Sequence, residues 1–346
     1  MRQSNCQRVS VKELELRVIT ATAPGRCGIV GNPSDMYGGS VLSCTITERA
    51  ECRIVVDSPE LTVHNTDEAA TLLSLGDLEL RGDKLDIARA ALQYFGIDPN
   101  TTRLKINLRT AIPMQAGLAG STAMLASLVG AFDAFLGLQL NRYDTAETMR
   151  KIEARIMYVT CGFQDQYMSV FGGLNFMNFS GKETLCQNDC EPLATIEPLA
   201  REIRSVPLLL AHTGIQHHSG KVHSSPRERW LAGEELVRHH YAHLGDLAHR
   251  AKRALLNSDW PLLGKVMTEN HVLISEIGGS GPANDRLIEA ALKAGAWGAK
   301  LAGAGGGGTV VVLAHNPSVV GEALMSAGAE RLLRPEPSPG LTVNCV

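Results

Sequence analysis

The sequence lacks a surplus of charge of either sign. Its 33 Lys and Arg residues nearly balance its 36 Asp and Glu residues, and the formal net charge is −3 at pH 7. A protein that binds nucleic acid or an anionic membrane through electrostatics has a strongly basic face, and this composition provides no case for one. We therefore expect neither nucleic acid nor a membrane surface among its partners.

Long apolar segments are also missing. No stretch approaches the ~18 unbroken apolar residues of a membrane-spanning helix, and the first 25 residues show no apolar run flanked by positive charge, as a secretory leader would. The eight cysteines are scattered and do not show the spacing of a disulfide framework. These absences predict a cytoplasmic protein whose cysteines are thiols. The oligomeric state is left open.

The length predicts two domains. A single core seldom grows beyond roughly 250–300 residues, and this chain has 346. A polar segment from residue 181 to residue 192 provides a boundary, so we expect domains at residues 1–184 and 185–346. Strand patterns precede helix patterns in each half, which predicts an α+β fold class.

Hydrophobic spacing predicts individual elements. The alternation of Leu14, Leu16 and Val18 with polar neighbours indicates a strand that ends at the turn Pro24-Gly25. A continuous strand pattern covers residues 299–312. Apolar residues at three- and four-residue steps predict helices, one of them ending at Gly137 and the others over residues 83–95, 144–158 (with Asp144 as its N-cap), 226–257, 261–277 and 284–293.

A glycine-rich turn leads into one of these helices: Pro113-Met-Gln-Ala-Gly117-Leu-Ala-Gly120-Ser121-Thr122-Ala123. Glycine lets the backbone approach a ligand closely, and the first N–H groups of a helix have no internal partners and attract anions. The segment therefore predicts a site for the phosphates of a nucleoside triphosphate. The residues expected around this cofactor are Pro113, Gln115, Gly117, Leu118, Ala119, Gly120, Ser121 and Thr122.

Two other segments share this turn-like chemistry. One runs over residues 23–39 and contains Arg26, Asn32 and Asp35, and the other is the glycine run over residues 300–309. Neither glycine run fits the Walker pattern, because no Lys precedes the hydroxyl residue. Each segment taken alone is also compatible with ordinary turns.

Taken together, the three segments resemble the GHMP small-molecule kinases over nearly the whole chain. The middle segment matches the family pattern Pro-x-x-x-Gly-Leu-x-x-Ser-x-Ala. The resemblance implies a ribosomal protein S5 domain 2-like N-terminal domain, a ferredoxin-like C-terminal domain, and a cleft between them that binds ATP and Mg²⁺. It implies that Ser121 and Glu153 hold the magnesium ion and that Gly305 and Gly306 lie beside the nucleotide.

The same resemblance assigns two catalytic residues. Asp165, in the family's acidic loop, is expected to accept the proton of the acceptor hydroxyl. Arg26 is expected either to pair with Asp165 or to stabilise charge on the migrating phosphoryl group. The competing interpretations are a loop aspartate that bonds its own turn and a surface arginine at a strand end.

Several segments look most like the glucuronokinase branch of the family: Gly31-Asn-Pro-Ser-Asp35, Gly162-Phe-Gln-Asp165, and Ser219-Gly-Lys-Val-His-Ser with Arg229-Trp-Leu after it. This likeness implies a sugar-acid acceptor, with Asn32 and Asp35 at the sugar. A hexuronate pocket needs a fixed cation, for which the candidates are Lys221, His223 and Arg229. Two alternatives stay open: a kinase for another sugar (a heptose derivative or a neutral monosaccharide), and a non-catalytic sensor of sugar and ATP.

Overall fold

Two β-sheets with helices packed against them form the part of the chain that the structure, a computed structural model, describes. The described residues are 18–182, 191–203, 205–215, 219–303 and 307–346, with side chains excluded over 219–224. In chain order the strands are β1 Val18–Val30, β2 Ser40–Val56, β3 Leu61–His64, β4 Ala69–Leu72, β5 Leu104–Thr110, β6 Leu174–Asn178, β7 Thr195–Pro198, β8 Leu208–His212, β9 Ala296–Leu301, β10 Thr309–Ala314, β11 Arg331–Leu333 and β12 Thr342–Cys345.

The first sheet has eight strands in the order β12-β1-β2-β5-β3-β4, with β6 and β7 branching from β2. Strand β2 pairs with β5 through its second half and with β6 through its first half. All pairs are antiparallel except β3 with β5. Strands β7 and β12 join this sheet although both lie beyond residue 184, and the division at that residue stays a prediction.

Strand β1 does not end at Pro24-Gly25, which corrects the predicted turn. The strand continues to Val30, and its register against β2 shifts between Pro24 and Arg26. A Cβ at Gly25 would lie 2.7 Å from the carbonyl oxygen of Leu118, so glycine at this position allows the glycine-rich turn to approach. The N–H of Arg26 donates to that same carbonyl at 3.0 Å. The sequence signal was real, but it marked a bulge and not a strand end.

The second sheet has four antiparallel strands in the order β11-β8-β10-β9. The strand predicted over residues 299–312 is two strands, because the glycine run separates β9 from β10 and the two pair antiparallel. Along β10, Val311 and Leu313 join the main core, whereas Val310 and Val312 join a smaller core. The sheet is therefore buried on both faces.

The described helices are α1 Asp86–Tyr94, α2 Gly120–Leu136, α3 Arg142–Lys151, α4 Gln164–Phe171, α5 Ser219–Leu231, α6 Glu235–Leu256, α7 Trp260–Glu276, α8 Pro282–Lys293 and α9 Pro317–Ser326. The helical pattern over 226–257 breaks into α5 and α6, with Gly233 between them at a φ of +85°. Gly137 ends α2 as predicted. Asn141, not Asp144, caps α3, since its side chain accepts the N–H groups of Tyr143 and Asp144.

The α+β fold class predicted from the sequence is confirmed. Helix α2 packs on β1 and β2 of the first sheet, and α7 packs on both β9 and β1, so it contacts the two sheets at once. Within the described residues no helix is long and apolar enough to span a bilayer.

Candidate functional site

The side chains of Arg26 and Asp165 form a close ion pair. Arg26 follows the bulge in β1, and Asp165 is the second residue of α4. The Nε of Arg26 donates to Oδ1 of Asp165 at 2.7 Å, and Nη2 lies 2.6 Å from the same oxygen. The Arg26 side chain is 8% exposed and that of Asp165 is 31% exposed, so solvent and ligands reach the carboxylate and not the guanidinium.

Two backbone carbonyls hold the other side of this guanidinium. The Nη1 of Arg26 donates to the oxygen of Gly117 at 2.7 Å and to the oxygen of Ala302 at 3.3 Å. A Cβ at Gly303 would lie 2.9 Å from the Cα of Gly117, so the two glycine segments touch. The three segments singled out in the sequence therefore meet at Arg26.

The start of helix α2 is arranged for an anion. Ala119 precedes the helix in the left-handed region, at φ 60° and ψ 31°, and no side chain caps this helix start. Gln115 and Gly117 also have positive φ, at 54° and 73°. The first turn carries no acidic residue, so the leading N–H groups and the helix dipole are left to an external acceptor. Phosphate is the typical ligand of such a helix start.

Glu153 lies beside this helix start. It belongs to the π-helical turn Ile152–Ile156 that follows α3, and it is 5% exposed. The hydroxyl of Thr122 donates to its Oε1 at 2.7 Å, and the amide of Gln166 donates to its Oε2. Burial raises the pKa of Glu153 even though both hydrogen bonds favour the ionised form. Ser121, the residue before Thr122, is exposed.

Asp35 supports the helix that carries Asp165. Its Oδ2 accepts the N–H of Phe163 at 2.8 Å and that of Gln164 at 2.9 Å, which caps the start of α4. A Cβ at Gly162 would lie 2.0 Å from that oxygen, so glycine is needed there. Burial raises the pKa of Asp35, and the two N–H groups oppose that rise. The structure gives Asp35 a positioning role, and its predicted contact with the sugar stays a prediction.

Asn32 links the end of β1 to the residues at the end of β9, and its role as a sugar-binding residue stays a prediction. It is 5% exposed, its Nδ2 donates to the oxygen of Ala302 at 3.3 Å, and its Oδ1 accepts from the ammonium of Lys300 at 2.9 Å. Lys300, which was not predicted, is 1% exposed and also donates to the carbonyls of Gly28 and Leu301. Burial lowers the pKa of Lys300 to about 7. A lysine inside an apolar strand pattern was the available sequence signal.

Of the three cations predicted for a carboxylate pocket, only Arg229 has a side chain that the structure describes. Arg229 is bound by Glu234, with Nε to Oε2 at 2.7 Å and Nη2 to Oε1 at 2.5 Å. This bidentate pair occupies its fork in the structure, and the role of Arg229 as a substrate ligand stays a prediction. Lys221 and His223 fall in helix α5, but their side chains lie outside the described residues, as do Gly305 and Gly306.

An aromatic cluster that was not predicted lies next to Asp35. The ring of Tyr37 is 4.8 Å from that of Trp230 and 4.2 Å from that of Tyr241. Burial raises the pKa of Tyr37 to about 12, while a hydrogen bond with Tyr241 and the positive charge of Arg227 act against the rise. In the sequence, the three-residue spacing of Arg227 and Trp230 indicates that both residues lie on the same face of α5.

Two family profiles match the chain. The profile for the GHMP kinases N terminal domain covers residues 68–173, and the profile for the GHMP kinases C terminal covers residues 251–328. The first includes the glycine-rich turn, Glu153 and Asp165. The second begins in the last turns of α6 and extends past the end of α9.

Curated relatives are similar over most of their length. The chain is 30% identical to the probable glucuronokinase 2 of Arabidopsis thaliana over 317 residues, which is 85% of this chain and 84% of the relative. It is 28% identical to the D-glycero-alpha-D-manno-heptose 7-phosphate kinase of Campylobacter jejuni over 312 residues, which is 85% of this chain and 88% of that one.

A solved structure gives the fold. The galactokinase of Lactococcus lactis, complexed with galactose, superposes with a TM-score of 0.78 at 18% identity, covering 94% of this chain and 95% of that one. With the two profiles, this likeness identifies the two-domain α+β architecture whose elements are described above.

Proposed function

The chain belongs to the GHMP kinases and is a phosphotransferase with an alcohol group as acceptor, and we propose that its acceptor is a sugar acid, D-glucuronate, which it converts to glucuronate 1-phosphate. GHMP kinases use ATP as the phosphate donor, generally with Mg²⁺. The observation that carries the proposal for the site is the Arg26–Asp165 pair, held where the three glycine-bearing segments meet.

In the proposed reaction Asp165 acts as the general base. It accepts the proton of the acceptor hydroxyl while that oxygen forms a bond to the terminal phosphorus of ATP. The bond from that phosphorus to the bridging oxygen breaks, and ADP leaves with the electron pair. Arg26 fixes the orientation of the carboxylate through two hydrogen-bonding nitrogens. The exposed part of Asp165 lets the proton pass on to solvent.

The leading N–H groups of α2 are proposed to hold the phosphates. Phosphoryl transfer proceeds through a loose transition state, so positioning and charge neutralisation account for most of the catalysis. The uncapped helix start supplies fixed donors that need no rearrangement during the reaction. The carbonyls of Gly117 and Ala302 set the distance between this helix start and the base, because both accept from Arg26.

The residues near the helix start fit a magnesium ion. Glu153 is a buried carboxyl group whose two hydrogen-bond donors are neutral, and burial raises its pKa, a shift that a bound cation would oppose. Mg²⁺ takes one or two carboxylate or hydroxyl oxygens and completes its shell with phosphate and water. We propose that Glu153 and Ser121 hold the ion, which when bound neutralises charge on the phosphates.

Two observations bear on the acceptor. Likeness to the probable glucuronokinase 2 supports a hexuronate, and the similar likeness to a heptose 7-phosphate kinase supports a phosphorylated heptose as the second candidate. The two acceptors share a sugar ring with one anionic substituent. A neutral monosaccharide lacks that substituent, and a sensor without turnover would not need the base at Asp165.

An ADP-release assay separates these candidates. The acceptors are glucuronate, galacturonate, galactose, arabinose, mevalonate and a heptose 7-phosphate, and we expect the highest kcat/KM with glucuronate. Asp165→Asn should lower kcat by about 10²- to 10⁴-fold while ATP still binds. A higher kcat/KM with galactose or the heptose phosphate would overturn the proposed acceptor. No turnover with any sugar would overturn sugar phosphorylation as the function.

A further inference from the structure

Arg227, a cation near the site, makes no ion pair or side-chain hydrogen bond with a described residue. Arg227 of helix α5 is half-buried, and its Nε is shielded from solvent without a hydrogen-bond partner. Burying a charged donor unpaired is unfavourable, and buried polar groups in native proteins are nearly always satisfied. Because this Nε is closed to solvent, an external acceptor would have to reach the Nη1 and Nη2 groups of the guanidinium.

Other arginines show what a satisfied side chain looks like in this chain. Arg89 also has a shielded Nε, but its Nη1 pairs with Asp83 at 2.5 Å and with Asp86 at 2.6 Å. Arg229, two residues after Arg227, spends its fork on Glu234. Arg227 has neither kind of ion pair with a described residue, so its charge stays available.

The position of Arg227 connects it to the proposed sugar site. Trp230, one turn further along α5, packs against Tyr37, and the charge of Arg227 acts on the Tyr37 hydroxyl. Tyr37 belongs to the short helix Ser34–Tyr37, which also carries Asp35. Asp35 in turn caps the helix on which Asp165 lies. Arg227 and the base are thus linked through a single short helix.

We propose that Arg227 binds the anionic substituent of the sugar and that it makes the site selective for sugar acids, an inference that rests on the proposed function. A guanidinium presents its donors in a fixed fork that suits a carboxylate or a phosphate. With the anionic group on Arg227, the opposite end of the sugar is directed toward Asp165.

The test compares Arg227→Gln with Arg250→Gln. Each variant is titrated calorimetrically with glucuronate, a heptose 7-phosphate and galactose, and then assayed for kcat and KM. Losing a charge-assisted bidentate contact should weaken glucuronate binding and raise its KM by about 10- to 100-fold, with kcat little changed. Galactose binding should stay within about 3-fold of the wild-type protein. Arg227→Lys, which keeps the charge without the fork, should fall between the two.

Arg250→Gln is the matched control, because Arg250 of α6 is already paired with Glu269 at 3.1 Å and is not among the predicted site residues, and it should keep the wild-type ratio of glucuronate to galactose affinity. An unchanged ratio in Arg227→Gln, or a lost ratio in Arg250→Gln, overturns the inference. If Arg227→Gln weakens the binding of the heptose phosphate more than the binding of glucuronate, the anion that Arg227 binds is a phosphate. The proposed selectivity for sugar acids is then overturned.

Measuring glucuronate binding apart from turnover distinguishes this inference from the proposed function. If the wild-type protein binds glucuronate through Arg227 but does not phosphorylate it, the inference holds and the proposed reaction fails. If it phosphorylates glucuronate and Arg227→Gln does so equally well, the reaction holds and the inference fails. No glucuronate binding by the wild-type protein overturns both.

Discussion

Replacing Asp35 tests whether this residue positions the base or contacts the sugar. Its Oδ2 accepts two N–H groups at the start of α4, and the base Asp165 follows directly in that helix. The positioning role predicts that Asp35→Ala changes kcat, because the helix start relaxes and Asp165 shifts relative to Arg26. A sugar contact predicts instead that KM rises.

The magnitude follows from the two hydrogen bonds. A buried donor that loses its acceptor costs about 1–3 kcal/mol, and Asp35→Ala leaves two of them. Removing a buried charge returns part of this loss, so we expect the free energy of unfolding to fall by about 2–4 kcal/mol. Asp35→Asn keeps one oxygen that can accept both N–H groups and should cost less than about 1 kcal/mol.

The pH dependence of stability gives a second readout. Burial raises the pKa of Asp35, so between its unfolded value of 3.8 and its folded value the folded state binds more protons than the unfolded state. The free energy of unfolding therefore decreases as the pH rises through that window. Asp35→Asn removes this contribution, so the free energy of unfolding should depend less on pH in that window.

Urea denaturation and steady-state kinetics measure these effects. We expect Asp35→Ala to lower kcat at least about 10-fold with KM for the sugar changed less, and Asp35→Asn to keep most of kcat. The reasoning is refuted if Asp35→Asn raises the sugar KM as much as Asp35→Ala does while both proteins stay fully folded. That pattern would mean that the carboxylate charge contacts the substrate.

Three further predictions concern the surroundings of the pair. Gly303→Ala places a Cβ 2.9 Å from the Cα of Gly117 and should lower kcat/KM for ATP at least about 10-fold, whereas the control Gly76→Ala, with no atom nearer than 3.7 Å, should leave it unchanged. Lys300 has a pKa of about 7 when folded and 10.5 when unfolded, so stability should rise between those pH values, and Lys300→Met should abolish that rise in denaturation curves. Glu153→Gln should raise the Mg²⁺ concentration that gives half-maximal ADP release; an unchanged Mg²⁺ titration would exclude Glu153 as a ligand.

Local patterns predicted the elements whose signals lie close together in sequence. The apolar steps after the glycine-rich turn and the glycine at 137 were enough to define α2. The predicted end of β1 failed because Pro24-Gly25 has the composition of a turn, while the approach of Leu118 from elsewhere in the chain makes it a bulge. A pattern in one segment holds no information about which other segment will pack on it.

The same limit explains why the sequence predicted the site only in part. The type of chemistry expected at Arg26 and Asp165 could be stated from their motifs, but the contact joins residues 139 positions apart. Asp35 was predicted at the sugar because it occupies the sugar-side position of the first motif. Its Oδ2 instead accepts the N–H groups of residues 128 and 129 positions further along the chain. The motif around Arg229 did not indicate that its side chain pairs with Glu234. Long-range packing decides which polar atoms are left for a ligand.

The carbonyl of Ala302 shows how the second sheet helps to hold Arg26 of the first sheet, which orients the base Asp165. It lies directly after β9 and accepts from the N–H of Gly28, from Arg26 and from Asn32, each at 3.3 Å. A carbonyl oxygen has two lone pairs, so three long hydrogen bonds share it and none of them is strong by itself. A small displacement of β9 therefore changes all three together. Since Arg26 orients Asp165, the geometry of the proposed base depends on how the two sheets dock and not on its own helix alone.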